Sequence, residues 1–186
     1  FISVDTQAKK LADGADFFRV NDMGQVPVLR TDAGELLTEN PVVLQYVADQ
    51  RPQSKLAPRD GIERYRLQQW LNFITSELHK VVFIPLLDPT APDPAKNYAR
   101  EKAERRFAHL NSHLEGREFL LDHFTVADAY LVTVLNWARF VGIDLSKWAS
   151  IKQYFDRVGA RPNVAKAMAE EMKMYQEKQS RRAAMR

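Results

Sequence analysis

The chain has 186 residues, 45% of them hydrophobic and 27% charged, with no cysteine and a formal net charge of only +3. That is enough chain for one large domain or two small ones, and it excludes a disulfide framework, a thiolate metal site and a protein thiol nucleophile within these residues. No apolar run approaches the ~18 residues of a membrane span and nothing resembles a signal peptide, so the expected compartment is the cytoplasm.

In chain order, FISVD is strand-like and lacks an initiator methionine, so the expectation is that Phe1 is not the first residue made. Residues 5–11, with Lys9 and Lys10, read as a loop or short helical piece, and ADGADFFRVND as a loop anchored by Phe17 and Phe18. Residues 24–40, GQVPVLRTDAGELLTEN, then predict a strand, a tight turn through Gly34, a second short strand and a helix. Thr38 is placed to cap that helix, whose inward stripe is Val42, Val43, Tyr46 and Val47. Pro27 falls inside the first strand, where it costs a ladder hydrogen bond unless the strand is at an edge. A cis bond before Pro27 would turn the Val26 backbone outward, free to pair with an extended ligand; an ordinary trans proline starting an edge strand is the reading that frequency favours, since only ~5% of such bonds are cis. Glu39 and Asn40 occupy the first helical turn, where unpaired N–H groups and the helix dipole can receive a carboxylate. Simple capping electrostatics would explain an acid there equally well.

QRPQSKLAPRDG breaks all periodicity and marks a domain boundary, giving an N-terminal domain over residues 1–53 and an all-helical domain over residues 60–186. A helix over residues 61–82 buries Leu67, Trp70, Leu71, Ile74 and Leu78 and is ended or kinked by Pro85. After the proline-rich DPTAPDP, a charged helix over residues 96–114 turns Ala99, Ala103, Phe107, Leu110 and Leu114 inward. FTVADAYLVTVLNWARFV is a helix buried on most sides, started by Thr125 and Asp128 at capping-box spacing; losing the Thr125 cap should cost ~1 kcal/mol. Two shorter helices, residues 148–160 and 164–176, are separated by Pro162. The basic end, with Lys178, Arg181, Arg182 and Arg186, reads as a solvated tail rather than a nucleic-acid interface, since aromatic interleaving is lacking.

Chemistry-bearing residues collect on the polar side of the residue 61–82 helix: Tyr65, Gln68, Asn72, Ser76 and His79 share one side at helical spacing, with Glu77 on a flank. A solvated face accounts for such a stripe as well as a site does. His109 and His113 stand at i, i+4, a metal-capable spacing that is common by chance.

Taken together and in this order, GQVPVL, LLTEN, ERYRLQQWLNFITSELHK, FTVADAYLVTVLNWA and RPNV resemble a bacterial glutathione transferase of the beta class. The resemblance runs from FISVD to about Ala169. It implies an α/β plus all-α fold, with a thioredoxin-like N-terminal domain whose first strand and helix, bearing the family's catalytic cysteine, would precede Phe1, and an all-helical C-terminal domain. It also implies a homodimer with a detoxification role and glutathione as co-substrate, with no metal.

Residue by residue, the resemblance makes Val26 the backbone partner of the glutathione cysteinyl group and Pro27 cis, reversing the preference from frequency. Glu39 and Asn40 match the residues that hold the γ-glutamyl end, although Asn40 departs from the usual Ser or Gly and is followed by Pro41. Lys9 matches a lysine that meets the glycyl carboxylate. Asn72 and Glu77 match residues that reach the neighbouring subunit's glutathione, and His79 the catalytic histidine beside the sulfur. The implied reaction is thiol activation: lowering the thiol pKa by about two units takes ~2.7 kcal/mol of differential stabilisation of the anion. The thiolate then attacks a small electrophile, or exchanges a disulfide or reduces a peroxide as a side activity. The alternative is a non-catalytic binding or interaction module that keeps the same fold.

Overall fold

The computed structural model describes residues 2–184, without the side chains of residues 178 and 181–184. The chain divides into two compact units, Phe1–Gly61 and Ile62–Arg186.

The first unit is built from hairpins with two-residue strands. β1 (Val4–Asp5) pairs antiparallel with β2 (Lys10–Leu11), Val4 opposite Leu11. Residues 5–11 are therefore a hairpin, not the expected loop or helical piece. The Asp5 carboxylate explains the turn, because Oδ1 accepts the N–H groups of Gln7 and Ala8 at 2.9 and 3.2 Å and so folds the chain back on itself. Lys9 closes the turn at φ 55°. A single 3-10 turn, Phe17–Arg19, follows, with Asp16 accepting from the Phe18 N–H. Phe17 is buried, whereas Phe18 is exposed, so one phenylalanine anchors the loop rather than two.

β3 (Leu29–Arg30) and β4 (Leu36–Leu37) form the second antiparallel hairpin, Leu29 opposite Leu37. Its turn is closed by Gly34 N–H to the Thr31 carbonyl at 2.9 Å, with Gly34 at φ 87°, a conformation open to glycine. Pro27 lies ahead of β3, not inside it, and so removes no ladder bond. α1 (Asn40–Asp49) begins one residue later than Thr38 predicts: Glu39 is the N-cap, at φ 64°, with no side-chain cap hydrogen bond. Of the expected inward stripe, Val42 and Val47 are exposed, and Ala48 is the buried residue of the helix.

In the second unit α2 (Gly61–Phe73) runs on into a π-helical stretch, Ile74–Phe83, and then α3 (Ile84–Leu87). Leu67, Leu71, Ile74 and Leu78 are completely buried, and Trp70 nearly so. Pro85 does not end the helix; it stands in the first turn of α3, directly after the π-helical stretch. The wide turn is seen in the Ile84 N–H, which reaches the His79 carbonyl five residues back.

α4 (Asp93–Leu114) buries Ala99, Ala103, Phe107, Leu110 and Leu114, the face that its periodicity gives. It packs against the π-helical stretch and α7 (Ala149–Gly159). α5 (Val126–Asn136) is apolar nearly all round, packs on the same two elements, and is followed at Trp137 by α6 (Ala138–Val141). α8 (Pro162–Ala184) starts on Pro162 instead of being separated by it, and it continues through positions 178, 181 and 182 of the basic tail. The side chains of Lys178, Arg181 and Arg182, and all of Arg186, lie outside the described residues.

One buried carboxylate organises this core. Asp128 Oδ2 accepts the Thr125 N–H (2.8 Å) and hydroxyl (3.0 Å), and Oδ1 accepts the Leu120 N–H (2.9 Å) and the Tyr154 hydroxyl (2.9 Å). Burial raises the Asp128 pKa, and these four donors pull against it. An aromatic series, His79, Trp137, Phe83, Phe107 and Trp148, runs through the unit at centroid spacings of 4.8, 5.9, 6.3 and 4.8 Å. Each such pair adds ~0.5–1.5 kcal/mol beyond its burial.

Candidate functional site

In the first unit the site begins with the peptide between Val26 and Pro27, which is cis, as the resemblance implied. Val26 is exposed, and among the described residues neither its N–H nor its C=O makes a hydrogen bond. A backbone donor and acceptor left open side by side can pair with another extended backbone. The approach to this peptide is fixed by a residue that sequence reasoning passed over. Asn21 is buried, donates from Nδ2 to the Gln25 carbonyl at 2.8 Å and accepts the Met23 N–H at 3.2 Å. The signal was present in the run NDMG, since Asn folds back on backbone two residues on.

Lys9 is held by the same stretch: its ammonium donates to the Gly24 carbonyl at 2.8 Å, leaving two of its three N–H donors for an anion. Gly24 makes room for this, at φ 60° and with the Phe18 ring so close that an added Cβ would lie 2.7 Å from it.

At the start of α1, the Val42 and Val43 N–H groups both return to the Glu39 carbonyl at 2.9 and 3.0 Å, and Pro41 has no N–H to offer. Among the described residues the Asn40 N–H remains open, so the helix start offers fewer donors than an average N-terminus. The Glu39 side chain makes no cap bond, which leaves its carboxylate for a cation.

The second unit carries the remaining candidates. Asn72 is exposed and donates from Nδ2 to the Gln68 carbonyl at 2.9 Å. Glu77 forms an ion pair with Arg106, Oε2 to Nη2 at 2.5 Å, so any ligand contact by Glu77 is shared with that guanidinium. The helical stripe does not hold as drawn. Ser76 is exposed, but His79 turns half inward, because the wider π-helical turn advances each residue by less than the ordinary helical step. The His79 ring stands edge-to-face on Trp137 at 4.8 Å, and its Nδ1 lies 2.7 Å from the Tyr130 hydroxyl. Burial, with a smaller contribution from the Lys80 charge, lowers its pKa to about 4. At neutral pH His79 is an uncharged imidazole.

His109 and His113 serve packing. Both rings lie against Trp70, at 6.2 and 4.2 Å, and His113 Nε2 is 2.9 Å from the Leu120 carbonyl. Among the described residues no group of three His, Cys, Asp or Glu side chains converges as a metal site.

A thioredoxin-like unit followed by an all-helical unit is the fold class to which these elements belong. Residues 73–162 match the glutathione S-transferase C-terminal domain. The chain is 41% identical to glutathione S-transferase GstA of Escherichia coli O157:H7 over 172 residues, 91% of this chain and 85% of that one. Its structure resembles a sphingomonad glutathione S-transferase complexed with glutathione (42% identity, TM-score 0.86) and the bacterial beta-class enzyme of Sphingomonas chungbukensis (43% identity, TM-score 0.86), each over 91% of this chain and 85% of theirs. The chain belongs to the bacterial glutathione S-transferases.

Proposed function

We propose that this chain binds glutathione and transfers its thiol to small electrophiles. The observation that carries the reading is the exposed Val26 peptide with its unpaired N–H and C=O, which suits an extended tripeptide backbone better than it suits a protein interior. Lys9 would meet the glycyl carboxylate with the two donors that Gly24 leaves free, Glu39 the γ-glutamyl ammonium, and the Asn40 N–H its carboxylate. The sphingomonad relative, whose structure holds glutathione, supports the same ligand here.

His79 then has the role of a neutral donor to sulfur. A hydrogen bond to an anion is about twice as strong as one to a neutral group, so this donor would favour thiolate over thiol. Asn72 and Glu77 would complete the site of a second copy, which makes the working form a homodimer. Domains over residues 1–53 and 60–186, a cytoplasmic setting and a detoxification role fit this reading.

The test is turnover of a chromogenic electrophile by the full-length protein. His79→Ala should lower kcat by about tenfold with little change in glutathione affinity, the mark of an interaction made mainly by the reactive form. Retention on immobilised glutathione without any turnover would instead support a binding module. A monomer in sedimentation at working concentration would remove Asn72 and Glu77 from the site.

A further inference from the structure

We infer that Asn21 is a positioning residue that aims the open N–H of Val26 by holding the carbonyl of the same peptide group. The inference concerns that peptide in the ligand-free protein, and it rests on the proposed glutathione site only for its consequence in binding.

The Gln25 C=O and the Val26 N–H belong to one planar trans peptide and point in opposite directions, so whatever fixes the carbonyl also fixes the direction of the N–H. Asn21 Nδ2 donates to that carbonyl at 2.8 Å. Among the described residues this is the one hydrogen bond on the peptide, since the Val26 N–H makes none. The two ends of the Asn21 amide are told apart by their partners. Its oxygen accepts the Met23 N–H at 3.2 Å, a group that can only donate, and its nitrogen faces a carbonyl, which can only accept.

The side chain is in turn held by its own backbone. The Asn21 N–H donates to the Phe17 carbonyl at 3.0 Å, and the Asn21 carbonyl accepts the Gly24 N–H at 2.8 Å. Phe17 is buried and Asn21 is 8% exposed, so the amide is set by the fold before a ligand arrives. Both ends of the amide are engaged within the loop, and Asn21 therefore acts through Val26 and needs no contact with glutathione. A peptide already held in this way should bind about tenfold more tightly than one that must first be ordered. The carbonyl that anchors Lys9 is tied to the Asn21 backbone, through the Gly24 N–H, and not to its side chain. Substituting the side chain thus separates the two contacts.

The experiment is Asn21→Asp in the full-length protein at neutral pH. The carboxylate keeps an oxygen for the Met23 N–H and removes the donor to Gln25. Backbone nitrogen relaxation reads the outcome: the ligand-free wild type should show a Val26 N–H as ordered as the helices, with an order parameter of about 0.85, and the variant a value below about 0.6 that recovers when glutathione is added. The Kd for glutathione should rise about tenfold, with kcat at saturating glutathione nearly constant, because ground and transition states share the contact. Lys9→Ala is the control, and should lose affinity while the Val26 N–H stays ordered. Unchanged order and Kd in Asn21→Asp, with only a fall in Tm, would make Asn21 a structural residue and overturn the inference. The wild type decides even if the variant does not fold: a mobile Val26 N–H, or no scalar coupling across the hydrogen bond from Asn21 Nδ2 to the Gln25 carbonyl carbon, overturns it as well. If the Val26 N–H is ordered through Asn21 but its signal does not move when glutathione is added, the glutathione reading of this peptide fails while the positioning stands.

Discussion

The core of the helical unit and the candidate site of the hairpin unit handle polar groups in opposite ways. In the helical unit the fully buried carboxylate of Asp128 is saturated: four donors meet two oxygens, and every donor comes from the same unit. In the hairpin unit the polar groups that matter are left open. Among the described residues Val26 keeps a free N–H and C=O, Lys9 spends one donor of three, and Glu39 forms no cap. The conformations differ likewise, since among the described residues the non-glycine positions at positive φ are Lys9, Glu39 and Lys55, all in the hairpin unit. Its buried apolar residues among those described are Phe17, Ala48 and Ala57, whereas the helical unit buries large side chains along most of its helices. Saturation stabilises a fold, and open groups on constrained backbone bind a ligand. A substitution at the saturated Asp128 should therefore move stability, and one at the open groups of the hairpin unit chiefly affinity.

The largest effect should come from Asp128→Ala. It leaves the Leu120 N–H, the Thr125 N–H and the Tyr154 hydroxyl buried without a partner, at ~1–3 kcal/mol each, so a loss of about 4 kcal/mol is expected in urea denaturation. Thr125→Ala removes a single donor and should cost about 1 kcal/mol. If the two losses were equal, the carboxylate would not be the centre of the core.

Lys9→Ala inverts the pattern. Removing one ammonium from a partly open site should raise KM for glutathione about tenfold, equivalent to ~1.4 kcal/mol, with kcat nearly constant because ground and transition states lose the same contact. A fall in kcat with unchanged KM would take Lys9 out of the carboxylate site.

The Gly24→Ala variant lies between these two. At φ 60° an added Cβ is strained, and the Phe18 ring stands 2.7 Å from it. Phe18 is exposed and can move, so the expected loss is the conformational part, about 1 kcal/mol, visible as a fall of a few degrees in Tm. Glutathione affinity should weaken with it, because Lys9 is anchored on the Gly24 carbonyl.

How much of this was legible in the sequence depended on whether a signal was periodic or local. The inward face of α4 and the β3–β4 hairpin follow from spacing and from the TDAG turn, and both form, though β3 is shorter than read and leaves Pro27 outside. The β1–β2 hairpin was missed because two-residue strands have no alternation to detect, and the Asp5 turn that makes it is a side-chain effect. The cap at Thr38 failed because Glu39 adopts a positive φ that propensity disfavours. The His79 stripe was drawn with one helical period, which the π-helical stretch does not keep. Tyr130 looked like one more apolar position of α5; only the fold brings it to His79.

The smallest effect, and the one that bears on mechanism, is the pH dependence of His79. In an unfolded chain the ring takes up a proton near pH 6.5; in the fold, burial delays this to about 4. As pH falls through that window the unfolded state binds a proton that the folded state refuses, so the contribution of His79 to stability is complete above about 6.5 and declines toward 4. Because the ring is only half-buried, water screens part of this. His113, also lowered by burial, acts with the same sign, and Asp128, raised by burial, acts against it. The comparison that isolates His79 is therefore wild type against His79→Gln, with unfolding free energies measured in steps between about pH 7 and 4.5. The difference should shrink as the solution is acidified. The same neutral ring predicts that the ratio of wild-type to His79→Ala turnover stays constant from about pH 6 to 9, since no charge change of His79 falls in that interval. A ratio that bends near pH 6.5 would mean that the imidazole titrates as an open side chain and takes part as a base.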